Sequence, residues 1–333
     1  MRKIHIDKIL QNQVTDFCKT AFTGHEGTRY ETPIIRLKKL RDKIQPRKHK
    51  QYREYVTKII NEYNDILKAN PTEMGSLITA FNAILPYHLL LEKIPNKKKS
   101  FWESVVYAMR YEELRDNEFR KHLLGSSIKA CVYCNSNLAI TFQTNYYNKE
   151  ENKRVKEYKA KLELDHFHPK SKYPFLCTSF YNLYPVCGNC NRAKSYNPVK
   201  FELYTTSKEL DVFSFWIDDT SIIKYWTNKK REDIKVYFQT INGDIELHKD
   251  HNKTFDIQGI YDTQSDIVEE LLHKAEVYNN SYNSTLVNNF KTLFPDRALV
   301  NRLVIGNYDK PEDIHKRPMA KFTQDIAKQL GLV

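Results

Sequence analysis

Lys161-Leu162-Glu163-Leu164-Asp165-His166-Phe167-His168-Pro169-Lys170 is the stretch on which the fold turns. Leu162 and Leu164 alternate with polar residues, the period-two pattern of a short strand with one face toward a core. Such a strand delivers Asp165 and His166 to its end, and Pro169 forces the chain out of the ladder. Downstream, Tyr181-Asn182-Leu183-Tyr184-Pro185-Val186 reads as a second short strand, and Cys190-Asn191-Arg192-Ala193-Lys194-Ser195 opens a helix. The expected order is strand, loop, strand, helix, and it brings together one His, one Asp and two Asn.

Two cysteine pairs frame this segment: Cys131-Val132-Tyr133-Cys134 and Cys187-Gly188-Asn189-Cys190. Two intervening residues let both sulfurs of a pair reach one ion from a tight knuckle, so the four suit one tetrahedral Zn²⁺. A set of four thiolates leaves no coordination position for substrate, so this zinc is expected to be structural. Fifty-two residues lie between Cys134 and Cys187, well beyond the ~15–20 of an ordinary zinc ribbon, so something must be built between the knuckles. Cys18 and Cys177 are expected to be free thiols.

Chemistry gives the enclosed residues a use. A carboxylate and an amide oxygen are hard ligands suited to Mg²⁺. A histidine with a near-neutral pKa can take a proton from an attacking water. A metal ion would stabilise the charge that develops on a scissile phosphate.

Taken together, Asp165-His166, Asn182-Leu183 and Cys190-Asn191-Arg192-x-Lys194, framed by Cys-x-x-Cys pairs, resemble the HNH endonuclease superfamily and its ββα-metal motif. The resemblance covers about residues 131–196. It implies His166 as general base, Asp165 and Asn191 as ligands of Mg²⁺ or Mn²⁺, and Asn182 as the brace of the loop that orients the base. Many members carry His at the position of Asn191, which leaves the preferred metal open. More narrowly, Leu164-Asp165-His166-Phe167-x-Pro169-Lys170-Ser171 followed by Tyr181-Asn182-Leu183 is similar to HNH nucleases of bacterial anti-phage systems, the Septu-type and retron-associated proteins. That similarity implies DNA as substrate, with RNA left open, and an ABC-type ATPase as partner.

Lys170, Arg192 and Lys194 are candidates for contacts to backbone phosphate, set against the plainer reading of a solvated helix face. His168 is read as a loop histidine. His248-Lys249-Asp250-His251 resembles a metal set in isolation but is expected to be a polar loop.

Working outward, residues 1–130 read mainly as helix. Val56, Ile59, Ile60, Tyr63, Ile66 and Leu67 recur at helical spacing up to Asn70-Pro71, and Ser100-Phe101-Trp102-Glu103 is a capping box. Asn148 to Lys161 reads as a solvated hairpin tip or surface insertion. Residues 201–333 are mixed, with a hairpin expected around Asn242-Gly243, a helix through Ile267 to Ala275, and a final helix over about 311–330. The expected whole is α+β: a helical region 1–130, a zinc-clamped ββα-metal core 131–200, and an α/β region 201–333.

Composition agrees without deciding. Nine glycines in 333 residues lean toward helix, and 53 Lys and Arg against 41 Asp and Glu give a net charge of +12. Excess positive charge favours polyanions through counterion release. Ten of the cations fall in residues 31–60, against three acids there. No apolar run suits a membrane span and the start lacks an apolar signal region, so the expected compartment is the cytoplasm. A different class stays open, a zinc-knuckle nucleic-acid-binding module or scaffold subunit without cleavage of its own.

Overall fold

A computed structural model of the chain describes residues 1–20, 31–95, 98–148, 152–278, 284–285, 288–290, 292–293 and 296–333. The helical stripes of the first third form α1 (Lys8–Thr20), α2 (Pro33–Lys43), α3 (Lys50–Asn61), α4 (Tyr63–Lys68) and α5 (Pro71–Ile84). Asn70 accepts from the Glu73 backbone N–H while Glu73 reaches back to the Asn70 N–H, which starts α5 at Pro71. Ser100 and Glu103 open α6 (Phe101–Ala108) in the same way. The chain breaks after α6 at Arg110, which takes a left-handed φ of 60°. Beyond it lie α7 (Tyr111–Glu113), a π turn over Leu114–Glu118, and α8 (Phe119–Leu124).

The middle third holds two separate antiparallel pairs. Strands β2 (Ile140–Asn148) and β3 (Lys153–Lys161) form a ribbon of nine paired positions. The stretch read as a solvated hairpin tip or surface insertion supplies the second strand of this ribbon, and residues 149–151 lie outside the described residues. Strands β4 (Glu163–His166) and β5 (Leu183–Val186) then pair, with Asp165 opposite Tyr184 and His166 opposite Leu183. Helix α9 (Gly188–Lys194) follows and packs on β4, giving the expected strand, loop, strand, helix order.

The last third departs further. Val236–Thr240 is a strand (β8), but it pairs with β7 (Phe213–Ile217) and not with the segment after Asn242-Gly243. Ile245 opens a helix instead, α11 (Ile245–Phe255), capped by Asp244, which accepts from the Leu247 N–H. The turn signal was real, but it ends a strand whose partner lies upstream. His248 and His251, expected in a loop, therefore sit on a helix, where His251 is buried and its Nε2 donates to the Tyr133 carbonyl. Around these run α10 (Asp219–Asn228), α12 (Ile257–Asp262), α13 (Ser265–Val277), α14 (Arg297–Ile305) and α15 (Ala320–Gln329). The expected final helix is divided, with a 3-10 turn over Pro311–Lys316 preceding α15. Near the start, β1 (Ile4–His5) pairs in parallel with β6 (Tyr204–Thr205).

One apolar core runs through all three regions. From the N-terminal side, Phe81 stacks on Phe175 with ring centres 3.9 Å apart, Phe17 meets Phe180, and the Ser179 hydroxyl donates to the Ile66 carbonyl. On the C-terminal side Phe255 stacks on Tyr133, and the Tyr261 hydroxyl donates to the Cys134 carbonyl. The central segment is thus gripped from both ends of the chain. Among the described residues, no helix is long and apolar enough to cross a membrane.

Candidate active site and metal centre

The knuckles meet. The sulfurs of Cys131, Cys134, Cys187 and Cys190 all lie within 4.8 Å of one another, and all four residues are buried. A tetrahedral Zn²⁺ with bonds of about 2.3 Å sets its ligand sulfurs ~3.8 Å apart, so this cluster can hold one ion with little adjustment. The Ser136 hydroxyl donates to Cys134 Sγ at 3.2 Å, an outer hydrogen bond of the kind that supports a thiolate ligand. Hydrogen bonds from the other three cysteines, with that from Ser136, hold the Cys134 thiol well below its ordinary range. Tertiary packing secures the first knuckle: Asn135 donates to the Ile314 carbonyl and accepts from the Lys321 N–H.

Between the knuckles, Asn182 acts as expected of a brace. It is fully buried; its Oδ1 accepts from the His168 N–H at 2.7 Å, and its Nδ2 donates to the carbonyls of His168 and Leu176. Three hydrogen bonds from one side chain tie the two ends of the loop between β4 and β5 together. The same loop presents the Cys177 carbonyl to His166 Nε2 at 3.0 Å. That carbonyl can only accept, so Nε2 carries the proton and Nδ1 is left as the acceptor.

Three buried histidines bond a backbone carbonyl through Nε2: His166, His251 and His315. In His251 and His315 the other ring nitrogen is a buried atom without a partner. In His166, among the described residues, no hydrogen bond reaches Nδ1, and the residue keeps 7% of its surface exposed without lining the cleft described below. The Tyr111 ring lies 4.7 Å from the imidazole. Burial, and next the charge of Lys170, pulls the His166 pKa down to about 3 and keeps the ring neutral.

Asp165 is placed differently from the expectation of a ligand facing an open metal site. It is 4% exposed; Tyr133 Oη donates to one carboxylate oxygen at 2.7 Å and Lys194 Nζ to the other at 3.0 Å. Burial raises its pKa against the opposing effects of Lys194 and Tyr133. Lys194, expected to meet phosphate, is itself fully buried and also donates to the His166 carbonyl at 2.8 Å. A fully buried ammonium that holds a carboxylate and a carbonyl is out of reach of a phosphate, which corrects that assignment. Arg192 stays exposed and donates to Asn189. His168 is half-buried against Tyr173, and burial takes its pKa down to about 4.

A cleft of about 440 Å³ opens beside this constellation, lined by Tyr111, Arg115, Arg120, Leu162, Glu163, Lys170 and Asn191 among others. Asn191 Nδ2 donates to Glu163 Oε2, leaving the amide oxygen free of that bond. Among the lining residues the hard side-chain oxygens belong to Glu163, Asn191 and Asp116, the last already engaged by Arg115 and Arg120. Glu163 lies two residues before Asp165 on the same strand face, a period-two relation already present in the sequence. Arg115 and Arg120 carried no such signal, since they come from the π turn and α8, far away along the chain. Tyr133, the partner of Asp165, stands inside the first Cys-x-x-Cys pair, where only the cysteines drew attention. A larger cleft of about 770 Å³, lined by Trp216, Asn301, Lys321 and Gln329 among others, holds none of these residues.

Comparison with family models, with curated proteins and with solved structures returned no match to this chain.

Proposed function

We propose that this protein is a metal-dependent endonuclease of the HNH type that hydrolyses phosphodiester bonds of DNA. The observation that carries the reading is His166: its Nε2 is locked on the Cys177 carbonyl, and its Nδ1, left as the acceptor, meets no hydrogen-bond donor among the described residues. A neutral imidazole fixed in one tautomer offers the acceptor a general base requires, although burial holds its pKa at about 3, below the near-neutral value expected from the sequence and the one at which a base is strongest. The β4–loop–β5–α9 arrangement and the zinc cluster support the same reading, because they hold that base rigidly.

In the proposed reaction a water oxygen attacks phosphorus as His166 Nδ1 takes its proton. The P–O bond to the leaving sugar oxygen then breaks, and that oxygen acquires a proton from solvent. Lys170 and Arg115, at the cleft, supply positive charge for the phosphate. A bound Mg²⁺ or Mn²⁺ would add stabilisation of the charge developing on the phosphate and leaving oxygens. The amide of Asn191 and the carboxylate of Glu163 fit such an ion as they stand. Asp165 joins them only where Lys194 gives up a carboxylate oxygen.

The decisive test is cleavage of supercoiled plasmid with Mg²⁺ or Mn²⁺, comparing the wild type with His166→Ala, with and without EDTA. Metal-dependent nicking or linearisation that disappears in the variant is expected; equal cutting by both proteins refutes His166 as base. A second reading, a nucleic-acid-binding module without cleavage, draws on one observation, the engagement of both Asp165 oxygens by protein. DNA binding with no cleavage under any divalent ion would favour it. A role as effector of an anti-phage system, beside an ABC-type ATPase, is proposed on sequence resemblance, and co-purification with such an ATPase tests it.

A further inference from the structure

The ribbon β2–β3 has no part in the chemistry above, yet its root forms a wall of the cleft. Side chains alternate across its two faces. Ala160 lines the cleft, so the residues that share its face are those at even positions of β3 and their cross-strand partners. Outward from Ala160 these are Tyr158 opposite Gln143, Lys156 opposite Asn145, and Arg154 opposite Tyr147. Only the root is covered. Arg120 donates to the Tyr158 carbonyl and Lys121 lies over the Tyr158 ring, both from α8. Gln143, Asn145, Tyr147, Arg154 and Lys156 are exposed. Among the described residues, neither Arg154 nor Lys156 meets a carboxylate. Along β3 five cations, Lys153, Arg154, Lys156, Lys159 and Lys161, stand against the single acid Glu157, which pairs with Lys159.

We propose that this ribbon is an arm that seats its Arg154–Lys156 face in the major groove of duplex DNA next to the cleft. The B-form major groove admits a two-stranded ribbon, and the exposed side chains match what it offers. Arg and Lys pair with guanine, Asn and Gln pair with adenine, and both cations also meet the flanking phosphates. The deep, narrow major groove of duplex RNA does not admit such an arm. Ala160 and Arg154 are six residues apart on one strand, about 20 Å at ~3.3–3.4 Å per residue. At about 3.4 Å per base pair, the arm reaches about six base pairs from the phosphate held in the cleft. The partner is thus duplex DNA long enough to extend past the cut on one side.

The proposal rests on the nuclease reading for the place of the cut, but its binding test does not require cleavage. The test measures anisotropy of a labelled 30-base-pair DNA duplex over a salt series in buffer without Mg²⁺ or Mn²⁺. It compares the wild type with the Arg154→Gln/Lys156→Gln double variant and with a separate Asn145→Ala variant. Zinc content and melting temperature check that the variants fold. The double variant is expected to bind about tenfold more weakly at moderate salt, with a log–log salt slope shallower by about two. Asn145→Ala is expected to keep the slope and lose discrimination between duplexes of different sequence. Wild-type-like affinity and slope in the double variant, with fold intact, overturn the proposal, as does duplex RNA that binds as well as DNA through the same residues. If the ribbon variants lose binding while the wild type cuts nothing under any divalent ion, the arm stands and the nuclease reading fails. If the wild type cuts and the variants bind and cut as it does, the reverse holds.

Discussion

Removing the ammonium of Lys194 puts the heart of the site under the sharpest test. Lys194 and Asp165 are 0% and 4% exposed at the side chain, and their contact is 3.0 Å. Lys194→Met keeps the length and apolar bulk but leaves Asp165 buried with only the Tyr133 hydroxyl and the His166 backbone N–H as donors. Breaking a buried ion pair from one side costs about 3–5 kcal/mol, because the remaining charge is uncompensated. Burial already raises the Asp165 pKa with Lys194 in place, so removing that ammonium should raise it further and make the carboxyl easier to protonate. In a chain of this size the cost should appear as a Tm lowered by roughly 4–7 °C. Adding Asp165→Asn should recover part of that loss, since no charge is then stranded. The same variants also decide where the divalent ion sits. If an ion can take Lys194's place at Asp165, millimolar Mn²⁺ should raise the Tm of Lys194→Met, by about 2.7 kcal/mol at one hundred times its Kd, and leave the double variant unmoved. Thermal melts of the three proteins with and without Mn²⁺ measure all of this. A Lys194→Met protein that melts with the wild type refutes the buried-pair argument outright.

Three further outcomes follow from the same contacts. One zinc per chain is expected by elemental analysis; Cys131→Ser or strong chelation should remove it and unfold the central segment, since a structural zinc is worth on the order of 10 kcal/mol. Asn182→Ala breaks three buried hydrogen bonds and should cost about 2–4 kcal/mol. It should also abolish cleavage while leaving DNA affinity intact, which binding and nicking assays on one preparation separate. Acid should weaken the fold through His251 and His315, whose pKa values burial takes down to about 3 in each case. Their folded values lie below the unfolded value of about 6.5, so the stability they contribute is complete above that pH. It is lost as pH falls toward 3, up to about 4 kcal/mol each. His315→Gln should flatten the fall of Tm between pH 6.5 and 4, and an unchanged profile would refute this account.

The local grammar of the site was legible in the sequence. Two Cys-x-x-Cys spacings, a leucine alternation ending at Asp165-His166, and a second strand entering Cys187 gave the knuckles, β4, β5 and α9 in order. The capping box at Ser100 placed a helix start, because a cap is a contact over three residues and needs nothing from elsewhere. The hairpin expected at Asn242-Gly243 failed for the opposite reason. A turn signal says where a strand ends but not which strand pairs with it, and β7 lies upstream of β8.

What the tertiary structure decided is the protonation and the access. Spacing could nominate Asp165, His166, Asn191 and Lys194, but it could not say that Lys194 and Tyr133 turn inward onto Asp165, leaving Glu163 beside Asn191 at the cleft. Nor could it show that the Cys177 carbonyl holds one nitrogen of His166 while, among the described residues, no hydrogen bond reaches the other. These facts depend on burial and on partners dozens of residues away, where the cost of an unpaired charge or an unmet hydrogen bond chooses the arrangement. Sequence determines which chemistry is present; packing determines which atoms are free to use it.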